Sequence, residues 1–481
     1  MDATTADRIE ASDRSAESDD AVERERRTAR RIAAAFLLYG LVATALFGIN
    51  TPPFQVADEP IHFMRAAQIA EGDLVGTRFA QTLPGGKTEL TGGGSIDPAL
   101  VAAATPFFAL PFHPELRAKR ADWAPNIHWS SKRALVSFPT ANYPPFFYLP
   151  AAAGVLAGRE LGLSVVQTLY LSRLLTGLVA VGLGALAIAI AGGAAPWIFT
   201  ILTLPMSLSL MASVSQDALL IACGALAGAL LVRGIRQPAA AGGTLLAGLV
   251  VALSLVATAR PPFGALALLP LGLPRVQLWR RLVACLVVVI STLAWARIAA
   301  VTSMTNYGTI VGADPAAQIQ FMLHQPLLAL KAIAAALTMS KAYLTEFVGM
   351  LGWMDTSLPL YYYKIAAVML VVAAAAAMLG TRGKRMTAGN YLAIAAGVAL
   401  ASLGVFLVQY VAWTAPGHAI VDGIEGRYFL APALAGAALL PALGQMRAPR
   451  LRTALLGLIL VFPAISLAVA IRAIVLRYYL G

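Results

Sequence analysis

The feature that most limits what this chain can fold into is a succession of apolar runs, each near the roughly 20 residues that cross a bilayer as a helix. Eleven can be traced, at about 32–49, 167–191, 195–212, 216–233, 242–258, 262–274, 281–300, 361–380, 389–412, 427–444 and 453–473. A chain of 481 residues would otherwise suit two or three soluble domains. Composition rules that out, because 59% of the residues are hydrophobic and only 12% charged, against roughly 25% charged in soluble proteins. The expected fold is an all-α polytopic membrane protein with about 11 transmembrane helices.

The net charge of +12 is not a nucleic-acid footprint, since the bases punctuate the apolar runs instead of gathering on one face. They report topology. The loops with Arg233/Arg236, Arg275/Arg280/Arg281, Arg382/Lys384/Arg385 and Arg447/Arg450/Arg452 hold eleven bases and no acids, so all four should be cytosolic. Residues 1–31 carry nine acids and seven arginines without hydrophobic periodicity. They read as a disordered cytosolic tail, followed at residue 32 by a retained signal anchor. Adding 143–158 as a twelfth span would invert every basic loop, so that piece is expected to lie along the outer membrane surface.

The resulting organisation is a tail (1–31), a transmembrane module (32–300) with a large outer loop (51–166), a second outer loop (301–360), and C-terminal transmembrane helices (361–481). The second loop includes an interfacial helix at about 326–348. Two features strain the scheme: 262–274 is short and contains Pro270, and Arg472 and Arg477 fall on the outer side. Cys223 and Cys285 sit in apolar runs and read as packing residues.

Under this topology every acid after residue 31 lies outside or at the outer membrane edge. The first candidate site is Asp58-Glu59-Pro60-Ile61-His62-Phe63-Met64-Arg65. Pro60 suits the first turn of a helix and Gly72 its end, which places Asp58, His62 and Arg65 on one face. Asp58 could instead be only an N-cap. The second is Asp217, the only acid between Glu160 and Asp314, which is either functional or a capping residue at an outer turn. The third is Arg427 in Gly426-Arg427-Tyr428-Phe429. A lipid phosphate needs a fixed cation at that height, although Arg427 could also snorkel or pair with Glu425. Arg260 could assist with phosphate, and Trp353 and Asp355 could stack on and hydrogen-bond a sugar ring. Trp123, Trp129 and Trp413 read as interface anchors. No P-loop, HExxH or Gly-x-Ser-x-Gly is present.

These phrases occur in a set order: Asp-Glu-Pro-x-His after the first span, then Tyr143-Pro144-Pro145, Ser215-Gln216-Asp217, Ala259-Arg260-Pro261, Gly352-Trp353-Met354-Asp355 and Gly426-Arg427-Tyr428-Phe429. Over about residues 32–445 the chain resembles the domain-of-unknown-function 2142 family of predicted bacterial membrane proteins, allied to the GT-C glycosyltransferases. The resemblance implies a GT-C-like enzyme of the cell (inner) membrane, with a cytoplasmic N-terminus and its site on the periplasmic or extracellular side. Such an enzyme moves a sugar from a polyprenyl-phosphate donor to a glycan, lipid or protein acceptor, with inversion. Asp58, Asp217 and the adjacent Glu59 would be the catalytic acids. His62, Arg65, Arg260, Trp353, Asp355, Arg427 and Tyr428 would bind substrate. The partners would be the lipid-linked sugar, the acceptor and membrane lipids, with no nucleic acid. A divalent metal is left open and no cofactor is assigned. A transporter or flippase for a lipid-linked glycan, or a non-catalytic envelope-assembly protein, is the alternative. Two catalytic carboxylates must lie within reach of one substrate, and a scaffold would need no such convergence.

Overall fold

In a computed structural model, the protein is described over residues 3–82, 86, 88–119, 127–130, 132–237, 242–305, 312–380, 386–441 and 449–480, without side chains before residue 22. It is an all-α polytopic membrane protein. Trp123, Arg382, Lys384, Arg385 and Arg447 lie outside the described residues.

Helix α1 (Ala3–Asn50) is long and apolar enough to cross a membrane over Val22–Asn50. The expectation of an unstructured tail does not hold from residue 22 on. There Glu23 pairs with Arg27 one helical turn away, and Glu25 meets Arg452 at 2.7 Å, so the charges that suggested disorder support the helix and its docking.

The long stretch after α1 contains α2 (Glu59–Ala70), strands β1 (Thr77–Thr82) and β2 (Thr88–Ile96), α3 (Pro98–Ala104), β3 (Ala134–Ser137) and α4 (Leu149–Glu160). The strands form an antiparallel sheet in the order β1-β2-β3. Sequence reasoning assigned no strands to this stretch. The glycines serve close approach, since a Cβ on Gly93 would lie 1.9 Å from the Val136 carbonyl oxygen. At 12 residues, α4 rises about 18 Å, too short to cross a bilayer core by itself.

The next crossing is α5 (Val165–Ile190), opened by a Ser164/Gln167 capping box. Helices α6 (Ala195–Leu202) and α7 (Pro205–Met211) follow, and the Gly192–Leu202 and Pro205–Met211 segments bend by 79°. Then come α8 (Gln216–Arg236) and α9 (Gly243–Ala259). The short run containing Pro270 is a 3-10 helix, Pro261–Gly272, whose rise of about 2.0 Å per residue stretches it further than an α-helix. After α10 (Leu278–Thr302), helices α11 (Pro315–His324) and α12 (Pro326–Thr338) meet at 111°. Helix α13 (Ser340–Gly349) leads to the hairpin β4 (Met350–Leu351) and β5 (Thr356–Ser357). The chain ends with α14 (Leu360–Met378), α15 (Ala388–Ala412), a 3-10 turn (Gly426–Phe429), α16 (Leu430–Ala435) and α17 (Pro449–Val475).

Seven helices are long and apolar enough to cross a membrane, or up to nine if each bent pair is one span. Seven of the eleven expected spans match these helices, and an eighth matches α6 with α7. The other three are shorter pieces: α9, the 3-10 helix 261–272, and residues 426–439. Helix ends sort into two groups. At one end Arg26 donates to Gln237 at 2.9 Å, Arg236 to the Leu440 carbonyl at 3.1 Å, and Asn390 to the Leu271 carbonyl at 2.9 Å. At the other lie Asp58, Asp217, Arg260 and Arg427. The misfit Arg477 is buried at this second end, where it donates to Asp355 at 3.1 Å and to the Leu110 carbonyl at 2.6 Å.

Two close approaches set the second end. Gly224 and Gly228 on α8 admit α16, since a Cβ on Gly228 would lie 2.0 Å from the Leu434 carbonyl oxygen. Arg173 on α5 uses all five of its N–H donors. It bonds both Glu59 oxygens at 2.8 and 2.5 Å and the Gly48, Thr51 and Pro52 carbonyls at 2.9 Å each. Arg173→Met strands a fully buried Glu59 carboxylate and is expected to cost about 3–5 kcal/mol. Arg173→Met with Glu59→Gln should recover part of that loss. Denaturation midpoints of the full chain in detergent test this, and equal midpoints for the wild type and Arg173→Met would refute it.

Candidate functional site

Asp58 precedes α2 in the left-handed backbone region, with φ 64°, and its side chain makes no cap bond. The capping explanation therefore fails. The carboxylate bonds Arg427 instead, its Oδ2 accepting from Arg427 Nη2 at 2.7 Å. Asp217 is not a cap either, because Ser215 caps α8 by accepting from the Asp217 amide. The Asp217 carboxylate in the first turn of α8 accepts from Arg260 at 2.8 Å and stands 3.9 Å from Arg427 Nη1. Arg427 is also bonded through Nε to Glu425, so the pairing considered from sequence is real but accounts for only one edge of the guanidinium.

Two guanidinium groups thus face three carboxylates, with Tyr428 between the cations. The Arg260 guanidinium carbon lies 4.0 Å from the Tyr428 ring centroid and that of Arg427 5.7 Å. Arg427 Nη1 and Arg260 Nε are buried without a hydrogen-bond partner. Since one guanidinium touches both Asp58 and Asp217, the two carboxylates lie within reach of one small substrate. No group of three or more acidic, histidine or cysteine residues able to hold a metal occurs among the described residues.

His62 lies one turn beyond Asp58, its Nδ1 2.7 Å from the Tyr148 hydroxyl and its ring stacked on that tyrosine at 5.7 Å. Burial pushes its pKa down to about 4, against the opposing pull of Asp58 and Asp217. Burial alone would raise the Asp58 pKa, but Arg427 and then His62 hold it below the usual carboxylate value. Tyr143 belongs to the same surroundings, its ring 6.0 Å from His62.

Beside this cluster a shallow, open apolar depression of about 360 Å³ lies between α13 and α15, lined by Tyr343, Leu344, Phe347, Leu403, Phe406 and Phe429. Phe429 belongs to the same 3-10 turn as Arg427. Glu346 on α13 holds that turn by accepting from the Gly426 amide at 2.6 Å.

The family model described as "Predicted membrane protein (DUF2142)" matches residues 41–435. The chain belongs to the DUF2142 family. No curated protein and no solved structure matches it. The match covers Asp58, Asp217, Arg260 and Arg427 and ends before α17.

Several expected site residues of this DUF2142 chain are engaged elsewhere. Glu59 points away from its neighbour Asp58, wholly committed to Arg173 and the Val214 amide at 3.1 Å. Arg65 does not join Asp58 and His62. It is fully buried and donates to the carbonyls of Tyr143 and Leu74 and to Gln68. Trp353 donates to the Phe54 carbonyl at 2.9 Å. Asp355 accepts from the Phe112 amide at 3.0 Å and from Arg477. Both lie behind the Asp58 loop, to which Gly352 is joined through the Ala57 amide at 3.1 Å. Two residues escaped sequence reasoning. Arg173 was visible as a lone charge inside an apolar run, a default functional signal. Tyr148 was not, because nothing local marks one tyrosine of an aromatic stretch as the partner of a histidine.

The low His62 pKa makes the protein acid-sensitive. Between about pH 6.5 and 4 the unfolded chain takes up a proton that folded His62 refuses, so stability is complete above that window and falls through it by up to about 3 kcal/mol. The depressed Asp58 pKa acts in the same direction at lower pH. The melting temperature in detergent should therefore drop between about pH 7 and 5, and His62→Gln should flatten that drop. An unchanged slope in the variant would contradict the assignment.

Proposed function

We propose that this protein is a membrane glycosyltransferase that moves a sugar from a polyprenyl-phosphate donor to an envelope glycan, lipid or protein acceptor. The observation that carries this reading is the convergence of Asp58 and Asp217 on the Arg427 guanidinium, with Arg260 alongside and an open apolar depression next to it. Charged groups that can grip a phosphate and an apolar groove beside them suit a ligand with a phosphate head and a hydrocarbon tail. A neighbouring pair of carboxylates adds a base and an orienting group. A transporter would want its ionisable residues near mid-membrane, whereas these gather at one end of the helices.

In the reaction, the Asp58 carboxylate takes the proton of an acceptor hydroxyl. The acceptor oxygen forms a bond to the anomeric carbon as the bond from that carbon to the phosphate oxygen breaks. The phosphate leaves with the bonding electron pair, and Arg427 and Arg260 stabilise the charge that develops on it. Asp217 orients Arg260 and the acceptor. A single displacement inverts the anomeric carbon. Neutral His62, held by Tyr148, keeps a second cation from competing for Asp58. The site would face the periplasmic or extracellular side of the cell membrane, because Arg236, Arg281 and Arg452 lie at the opposite end.

Envelope-glycan composition tests the activity in wild type, a gene deletion and Asp58→Asn at confirmed membrane level. The expected result is loss of the same sugar in both mutants, with transfer by Asp58→Asn slowed about 10²–10⁴-fold. If only the deletion loses it, Asp58 is no base and transport or scaffolding takes the lead. Sidedness is tested in a variant lacking Cys223 and Cys285. A cysteine at exposed Gln81 should react with an impermeant maleimide in intact cells, and one at exposed Ala388 should not. The reverse pattern would invert the topology.

A further inference from the structure

A carboxylate that is to act as a base is here tied to the cation that is to hold the leaving group. Of the three acids around Arg427, Asp58 is the one able to let go. Asp217 is 7% exposed and shared with Arg260, and Glu425 is fastened to Arg427 only two residues away along the chain. The Asp58 side chain is 41% exposed, its one side-chain hydrogen bond among the described residues is to Arg427, and its backbone is in the left-handed region. A phosphate gripped by a guanidinium takes two parallel N–H groups. On Arg427 these are Nη1, which is unbonded, and Nη2, which Asp58 holds. Placing a phosphate there without moving an acid would set a fourth anionic group against two cations.

Building on the reading of the previous subsection, we propose that Asp58 stands in for the donor's phosphate on Arg427, so that lipid phosphate and Asp58 compete for one guanidinium and phosphate binding releases the base. The donor then binds before the acceptor can react. Phosphate oxygens replace the Asp58 oxygen at Nη2 and use Nη1. Freed from its cation, the carboxylate becomes more basic just when a leaving group is in place. After transfer Asp58 passes the acceptor proton to water, and its return to Arg427 displaces the spent lipid phosphate. The ion pair protects the site from accepting hydroxyl protons when no donor is bound.

Binding of farnesyl monophosphate to the full-length protein in detergent tests the competition. Asp58→Asn, which removes the competing charge, is expected to bind about tenfold more tightly than wild type while failing to transfer sugar, and Arg427→Gln should lose binding. If wild type binds and Asp58→Asn binds equally or less tightly, the competition is refuted and the donor reading stands. If neither binds, both fall. Inorganic phosphate at the same concentration should bind far more weakly, and equal binding would refute the lipid as ligand. Carbodiimide labelling of Asp58 in the wild-type chain gives the same answer should Asp58→Asn fail to accumulate. Labelling should rise on adding farnesyl monophosphate, and labelling that stays constant or falls overturns the proposal.

Discussion

Arg173 sits in an apolar helix where neither lipid nor water can satisfy it, and the protein supplies an acceptor for each of its donors. Three of those acceptors are carbonyls at and just beyond the end of α1, where a helix leaves its last carbonyls without partners. At membrane depth such groups must be satisfied from within, and one guanidinium satisfies three at once. Glu59 balances the charge and passes the connection on through the Val214 amide to the turn that carries Asp217. The end of α1, the start of α2, α5 and the turn before α8 are therefore one connected unit. Asp58, adjacent to Glu59, takes its height from that unit.

The opposite side of the Asp58 loop is held with comparable care. Among the described residues, the four non-glycine residues with positive φ are Phe54, Asp58, Phe112 and Met354. All belong to one network, in which Trp353 and Gly352 hold the 54–57 backbone and Asp355 ties the Phe112 amide to Arg477. Backbone in this region is unfavourable for side chains with a Cβ and persists where surroundings over-determine it. The strain is concentrated behind a carboxylate aimed at Arg427. Trp353 and Asp355 therefore act on the site through its scaffold and not by touching a sugar.

How much of this was legible in the chain differed by kind of information. The ends of α2 were readable from Pro60 and Gly72. Asp58, Asp217, Arg260 and Arg427 were readable as candidates because charge at a membrane edge is costly enough to need a reason. Their neighbours were not separable from them by the same argument. Glu59 is as acidic as Asp58, and Arg65 lies at helical spacing from it, yet both turn to loop carbonyls and buried partners. Asp58 takes a left-handed backbone and Arg427 while Glu59 takes Arg173, and no local side-chain pattern separates the two acids.

The sequence by itself determined that this is a helical membrane protein and where its scarce charges fall. Those properties are local, because a run of apolar residues or a basic loop meets the bilayer on its own account. The tertiary structure alone decided that the glycine-rich outer stretch is a sheet, that Glu59 belongs to Arg173, and that Asp58 and Asp217 share Arg427. The Asp58–Arg427 bond joins residues 369 positions apart. It forms because Gly228 lets α16 close on α8 and because Arg173 fixes the loop before α2. An ion pair of that kind is a property of where helices stop against one another, and no segment carries it before the helices have met.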